Sequence, residues 1–308
     1  MRLSLGIVSF VCLSLALLSG CAKPAYGTIE ASLDVGGRSR SYLVHFPPGH
    51  DKARSWPLIV SLHGHGGQGV HQEELTSMSS LSDDEGVVVA YPNGIDRSWN
   101  DDRSVTSASD DGVDDVGFIR ALIDKLVAEE GVDPRRVYVA GTSNGGVMSF
   151  RLACELSDKI AAFSPVIGLM PENAKDTCKP TRPMPMMMFV GTKDPLVPYE
   201  GGGVGYGGGR GDVMSADATR EWWANANGCT SMVGPETIDP EKDETVAKKT
   251  THTSCKNDAD VIVFAFENAG HTWPSGPQYA PKVAIGRVSN DVDATKEMWR
   301  FFRQHALP

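Results

Sequence analysis

Val137-Tyr138-Val139-Ala140-Gly141-Thr142-Ser143-Asn144-Gly145-Gly146 is the stretch whose reading decides the fold. A β-branched apolar run stops at a Gly-x-Ser-x-Gly, and a helix-like segment, Val147 to Leu156, follows. This is the layout of a nucleophile elbow, a sharp strand-to-helix turn that holds a serine hydroxyl clear of the backbone. The turn crowds the residues two before and two after the serine, so both must be small, and Gly141 and Gly145 supply that. The start of the following helix favours negative charge beside Ser143. A serine held this way performs acyl transfer only if the rest of the chain supplies a base, an acid and an oxyanion hole.

Working outward, Thr28–Asp34 and Ser39–Phe46 flank Gly36-Gly37 as a hairpin. Pro57–Leu62, Val87–Tyr91, Arg136–Ala140, Ile160–Val166, Met186–Val190 and Val261–Phe266 read as buried strands, and Thr245–Thr251 as a further one. Helices are expected at about 73–83, over 114–130, after the elbow, over 215–227 and over 291–305. Strands alternate with helices, which predicts a mostly parallel central sheet with helices on both faces. The reading contains no internal repeat and no second-domain linker. It expects one catalytic domain over residues 28–308.

Attack by a hydroxyl needs a base to take its proton and a third group to hold that base in the right tautomer. Ser143 follows one strand, Asp194 follows Met186–Val190, and His271 follows Val261–Phe266. In a parallel sheet such groups gather at the carboxyl edge of the strands. The order Ser, Asp, His is that of the α/β-hydrolases. His63-Gly64-His65-Gly66-Gly67, after the Pro57–Leu62 strand, lets backbone N–H groups approach a developing oxyanion. The expected donors are the backbone N–H groups of Asn144 and of His65 or a neighbouring glycine.

The chain resembles the polyhydroxybutyrate-depolymerase and feruloyl-esterase family of secreted α/β-hydrolases, including its bacterial lipoprotein members. The matching stretches are Leu62-His63-Gly64, Ala90-Tyr91-Pro92-Asn93-Gly94, Ser98-Trp99-Asn100, Asp114-Asp115-Val116-Gly117-Phe118, Gly141 to Gly146, Gly191-Thr192-Lys193-Asp194 with Val197-Pro198-Tyr199, Asn227-Gly228-Cys229, and Gly270-His271-Thr272-Trp273-Pro274. The resemblance implies ester hydrolysis with Ser143 as nucleophile, Asp194 as acid and His271 as base. Many relatives carry a cysteine where His65 stands, a departure that bears on substrate preference more than on a backbone donor. Family substrates are short polyester oligomers, feruloyl or acetyl groups on plant polysaccharide, and simple esters. Trp99, Tyr199 and Trp273, in or beside motif loops, are candidates to line the substrate pocket. The glycine-rich run Gly201–Gly211 is a candidate rim.

The first 20 residues read as an export signal. Arg2 is a minimal basic region, Leu3–Leu18 is almost wholly apolar, and Leu18-Ser19-Gly20-Cys21 resembles the lipobox of bacterial lipoproteins, whose cysteine is lipidated. Residues 21–27 then form a tether, and the domain is expected at a membrane surface or, with an ordinary cleaved signal, secreted. Export makes disulfides plausible. Four cysteines remain, which allows three pairings; the sequence-local pairing, Cys154–Cys178 and Cys229–Cys255, is the expected one. A formal charge of −10 and a pI near 5.3 argue against a nucleic-acid partner. A monomer acting on an ester without a cofactor is the expectation.

Other readings stand beside this one. His63, His65 and His71 could hold zinc, but no second compact ligand motif accompanies them. Asp101, Asp102, Asp110, Asp111, Asp114 and Asp115 could bind calcium; without the alternation of an EF-hand loop they read as a solvated acidic loop and a helix cap. Arg210-Gly211-Asp212 is treated as glycine-loop composition. A peptidase of prolyl-oligopeptidase type shares the elbow, and a non-catalytic binding protein could share the fold, though all three triad residues are present.

Overall fold

The computed structural model describes residues 26–308. Ten strands form one sheet. In chain order they are β1 (Gly27–Val35), β2 (Arg38–Phe46), β3 (Trp56–Leu62), β4 (Val88–Pro92), β5 (Val132–Thr142), β6 (Ala162–Val166) and β7 (Met186–Gly191), followed, after a short ribbon of β8 (Gly202–Gly203) and β9 (Asp212–Val213), by β10 (Ser231–Ile238), β11 (Val246–Thr253) and β12 (Val261–Glu267). Their spatial order is β1-β2-β4-β3-β5-β6-β7-β12-β11-β10. From β4 through β12 every neighbour is parallel, and the antiparallel pairs lie at the two ends. This is the α/β-hydrolase architecture expected from the sequence.

The central strands are continuous apolar runs because both of their faces are covered. Successive residues supply two separate cores. Leu58, Val60, Val137, Val139, Met186 and Met188 face one side, against Phe118, Ile119, Leu122, Phe150 and Trp223 of the helices Asp115–Glu130, Asn144–Glu155 and Ala216–Ala226. Ile59, Tyr138, Ala140, Met187 and Phe189 face the other, against Met78, Leu81, Met298 and Phe302 of the helices Met78–Glu85 and Ala294–Phe302.

Two sequence expectations need correction. The helix expected at 73–83 is two helices, Gly69–Thr76 and Met78–Glu85, separated by Ser77 in the left-handed conformation (φ 52°). The strand β10 was not expected at all. Gly234-Pro235 interrupts its pattern and sits at a register shift in its pairing with β11. Nearly all of its residues are exposed, so no apolar alternation marks it. Proline in a strand is tolerated at such an edge because no neighbour needs its missing N–H.

The four cysteines among the described residues pair as Cys154–Cys178 and Cys229–Cys255. Both bridges fit an exported protein. The first ties the end of the helix Asn144–Glu155 to the segment between β6 and β7. The second ties the end of the helix Ala216–Ala226 to the β11–β12 connection. The expected signal, lipobox and most of the tether fall on residues 1–25, outside the described residues.

Candidate active site

Ser143 sits where β5 ends and the helix Asn144–Glu155 begins, with φ 56° and ψ −116°. A non-glycine residue pays a strain of order 1–3 kcal/mol there, and the surroundings hold it in place. Its N–H donates to Val166 O (2.9 Å) and its carbonyl accepts from Val147 N (2.8 Å). The flanking glycines are obligatory. A Cβ on Gly141 would lie 2.1 Å from Gly145 O, and one on Gly145 would lie 2.4 Å from Leu62 O.

Asp194 and His271 meet beyond the ends of β7 and β12, which are adjacent parallel strands. Asp194 Oδ2 lies 2.7 Å from His271 Nδ1, and both side chains are buried. The other carboxylate oxygen, Oδ1, accepts from the backbone N–H groups of Leu196 (2.8 Å) and Val197 (2.9 Å), which fixes the carboxylate plane. The segment carrying His271 is stitched to the 285–287 turn. Gly270 N donates to Arg287 O (3.0 Å), His271 N donates to Ile285 O (2.6 Å), and a Cβ on Gly270 would meet Ile285 O at 2.0 Å. Tyr279 Oη donates to the His271 carbonyl at 2.8 Å. Ser143 and His271 line one cavity of about 540 Å³. No hydrogen bond joins their side chains in this structure; such contacts commonly tighten only when substrate binds.

The His63–Gly67 loop forms another wall of that cavity. It presses on the elbow, since a Cβ on Gly64 would lie 3.5 Å from Ser143 Cβ. Gly66 N donates to Arg97 O (2.7 Å) and Gly67 N to Gly64 O (3.0 Å), while the N–H of His65 has no acceptor among the described residues. Asn144 opens its helix, so its N–H has no acceptor one turn back. These are the two amides expected to face an oxyanion.

His63 is buried, and both ring nitrogens are engaged. Nε2 accepts from Gly94 N (3.0 Å), so Nδ1 carries the proton and donates to Gly64 O (2.8 Å). Burial lowers its pKa to about 4. Such a ring is a neutral brace for the loop, with no lone pair left for zinc. Among the described residues no group of three or more His, Cys, Asp or Glu side chains is placed to hold a metal ion.

The three aromatic pocket candidates lie elsewhere. Trp99 is fully buried; its Nε1 donates to His63 O (2.8 Å), its N–H to Asn144 Oδ1 (2.8 Å), and its ring packs on His63 with centroids 4.8 Å apart. Trp273 is also buried, donating to Thr295 Oγ1 (3.1 Å). Tyr199 lines a separate cleft with Asp217, Arg220 and Lys248. The sequence missed the residues that do line the cavity, among them Leu75, Arg97, Leu196, Arg210, Tyr279 and Ile285. Leu75 and Ile285 stand at the ends of short helices and the others in turns and loops, with no periodicity to mark them. The run Gly201–Gly211, expected as a rim, reaches the cavity through Arg210.

The acidic loop resolves into structural roles. Buried Asp101 accepts from Asn144 Nδ2 (2.6 Å) and pairs with Arg103 (2.6 Å). Buried Asp115 pairs with Arg40 (2.6 Å) and accepts from Asn100 N (2.7 Å); burial raises its pKa, and those partners oppose the rise. Asp114 caps the helix Asp115–Glu130 by accepting from Gly117 N (2.7 Å).

Residues 40–195 match the family model described as esterase, PHB depolymerase. The chain is 32% identical over 272 residues to the NocK protein of Nocardia uniformis subsp. tsuyamanensis, itself named as an esterase, covering 83% of this chain and 77% of that one. It is 29% identical over 276 residues to feruloyl esterase B of Piromyces equi, covering 87% of this chain but only 46% of that longer protein. In architecture it is similar to an acetyl xylan esterase from Aspergillus awamori, with a TM-score of 0.59 at 15% identity over 89% of this chain and 99% of that one. The strand order, the strained serine at the end of β5 and the family match over the β2–β7 half agree: the chain belongs to the PHB-depolymerase esterase family and is a carboxylic ester hydrolase.

Proposed function

We propose that Ser143, His271 and Asp194 carry out ester hydrolysis in two acyl-transfer steps. His271 Nε2 takes the Ser143 proton as Oγ attacks the ester carbonyl. The backbone N–H groups of Asn144 and His65 receive the oxyanion. His271 then protonates the leaving alcohol and activates the water that releases the acid. Asp194 holds Nδ1 protonated, so that Nε2 is the free base. The carrying observation is the strained Ser143 sharing a cavity with a histidine whose Nδ1 is 2.7 Å from a fixed carboxylate. The proposed substrates are short esters or oligoesters, with feruloyl and acetyl esters as the polysaccharide-linked members of the class.

The test is a set of purified proteins, wild type and Ser143→Ala, assayed against p-nitrophenyl esters of several lengths, methyl ferulate, hydroxybutyrate oligomers and a peptide amide. Ester turnover that vanishes in the folded variant supports the reading. Retained ester turnover, or preferential cleavage of the amide, refutes it.

Residues 1–20 we assign to a lipoprotein signal, 21–27 to a tether and 28–308 to the catalytic domain, with Cys21 carrying the lipid. Intact mass of protein from the membrane fraction tests this: a diacylglycerol-modified Cys21 is expected, and an unmodified N-terminus beyond residue 21 sinks it.

A further inference from the structure

The chain carries ten more negative than positive charges, so its arginines have abundant carboxylates to pair with. Among the described residues nearly every guanidinium is engaged. Arg38, Arg40, Arg103, Arg120, Arg136, Arg151, Arg220, Arg287, Arg300 and Arg303 each have a carboxylate within ion-pair reach. Arg135 and Arg182 donate to backbone carbonyls, and Arg54 stacks on Trp56. Two guanidiniums remain with no such partner, those of Arg97 and Arg210, and both line the cavity that holds Ser143.

Their positions are built. Arg97 follows Asp96 in a turn where both residues have positive φ (59° and 47°), and its carbonyl accepts from Gly66 N in the oxyanion loop. The carbonyl of Arg210 accepts from Arg103 Nη1 (2.9 Å). Arg103 pairs with Asp101, which is hydrogen-bonded to Asn144, the residue after the nucleophile. A polar chain thus runs from the elbow to the backbone of Arg210. The same positive charge is felt by His65, whose pKa is lowered first by desolvation, then by Arg210 and Arg103, and more weakly by Arg97. One carboxylate, Glu74, is in the cavity wall; it forms no ion pair with either guanidinium, and the charged lining keeps a positive excess.

We infer that Arg97 and Arg210 select esters that carry a free carboxylate near the scissile bond, such as the acid end of a short hydroxyacid oligoester. The inference rests on Ser143 being the nucleophile of this cavity. Guanidinium groups suit the role because they remain charged and can grip a carboxylate with two parallel N–H donors. Their lack of internal partners leaves those donors available.

The experiment compares the linear dimer of 3-hydroxybutyrate with its terminal carboxyl free against the same dimer capped as the primary amide. The cleaved ester is identical, and only the charge differs. Read as the ratio of kcat/KM for acid over amide, the wild type is expected to favour the acid by about five- to tenfold, the scale of two exposed charge pairs, and the preference should shrink as salt rises. Arg97→Gln with Arg210→Gln should bring the ratio near one, chiefly through KM. Arg120→Gln, which removes the same charge far from the cavity, should leave the ratio where it was. A wild-type ratio near one, a ratio unmoved in the double variant, or an equal fall in Arg120→Gln overturns the inference while leaving the esterase reading standing. Failure to cleave either dimer together with failure on p-nitrophenyl acetate removes both.

Discussion

Three residues show how local chemistry sets the site. Gly141 can be nothing larger, because a Cβ there would sit 2.1 Å from Gly145 O. Gly141→Ala is expected to cost about 3 kcal/mol or more and to abolish turnover, read as the urea midpoint and as activity; a variant with wild-type values for both would contradict this account of the elbow. Asp194 is anchored through Oδ1 by two backbone N–H groups, so in Asp194→Asn the amide oxygen keeps those bonds and the NH2 faces His271 Nδ1. The imidazole must then hold the wrong tautomer. A change of this kind in a serine triad lowers kcat by about 10⁴ with the fold intact, and a loss below tenfold would show that Asp194 does not orient the base. His63 is buried and neutral, with its pKa lowered to about 4 against an unfolded value of 6.5. Below pH 6.5 the unfolded chain takes up a proton that the folded chain refuses. The stability is therefore present above pH 6.5 and is lost as pH falls towards 4, by up to about 3 kcal/mol. Denaturation midpoints measured between pH 7.5 and 4.5 should fall less steeply in His63→Gln than in the wild type; parallel slopes would contradict it.

At the scale of elements, the sequence was most readable where burial is complete. Strands β3, β4 and β7 and the Val137–Thr142 end of β5 are buried on both faces, and β12 is largely so; each reads as an apolar run, and the polar or small residues beyond its end are visible as an interruption. That is why Ser143, Asp194, His271 and the His63–Gly67 loop stand out in the sequence; the structure puts Asp194 against His271 and lines one cavity with His271, Ser143 and that loop. The exposed edge strand β10 carries no such signal, and the break at Ser77 depends on a single backbone conformation. The aromatic candidates lie off the Ser143 cavity for a different reason. Trp99 and Trp273 stand in motif loops, yet each uses its indole N–H to tie those loops down from within. The cavity wall is left to loop residues such as Arg97 and Arg210, whose location depends on tertiary contacts. The elbow helix has its own tether in Cys154–Cys178, which closes a loop with a sequence separation of 24. On the chain-entropy model this is worth about 3 kcal/mol. Cys154→Ala with Cys178→Ala should lower the free energy of unfolding by that amount in a urea titration, and an unchanged midpoint would show that the bridge does not stabilise the fold.

Over the whole molecule, a sheet with parallel strands at its centre delivers four loops to one edge. β3 leads into the His63–Gly67 loop, β5 into Ser143, β7 into Asp194 and β12 into His271, the four groups to which the proposed reaction assigns its parts. The two cores on either face keep these strand ends in register, and the polar chain through Asn144, Asp101 and Arg103 carries that order outward to the rim of the cavity. In the proposed reaction one serine, Ser143, is acylated during ester hydrolysis. The most direct measurement is a time course of inactivation by phenylmethylsulfonyl fluoride, following residual esterase activity, intact mass and the modified peptide together. Activity should fall in step with a single adduct that maps to Ser143, and neither Ser143→Ala nor His271→Ala should take up the reagent at the wild-type rate. Activity lost while Ser143 stays unmodified, or an adduct on Ser143 that leaves turnover intact, would contradict the account.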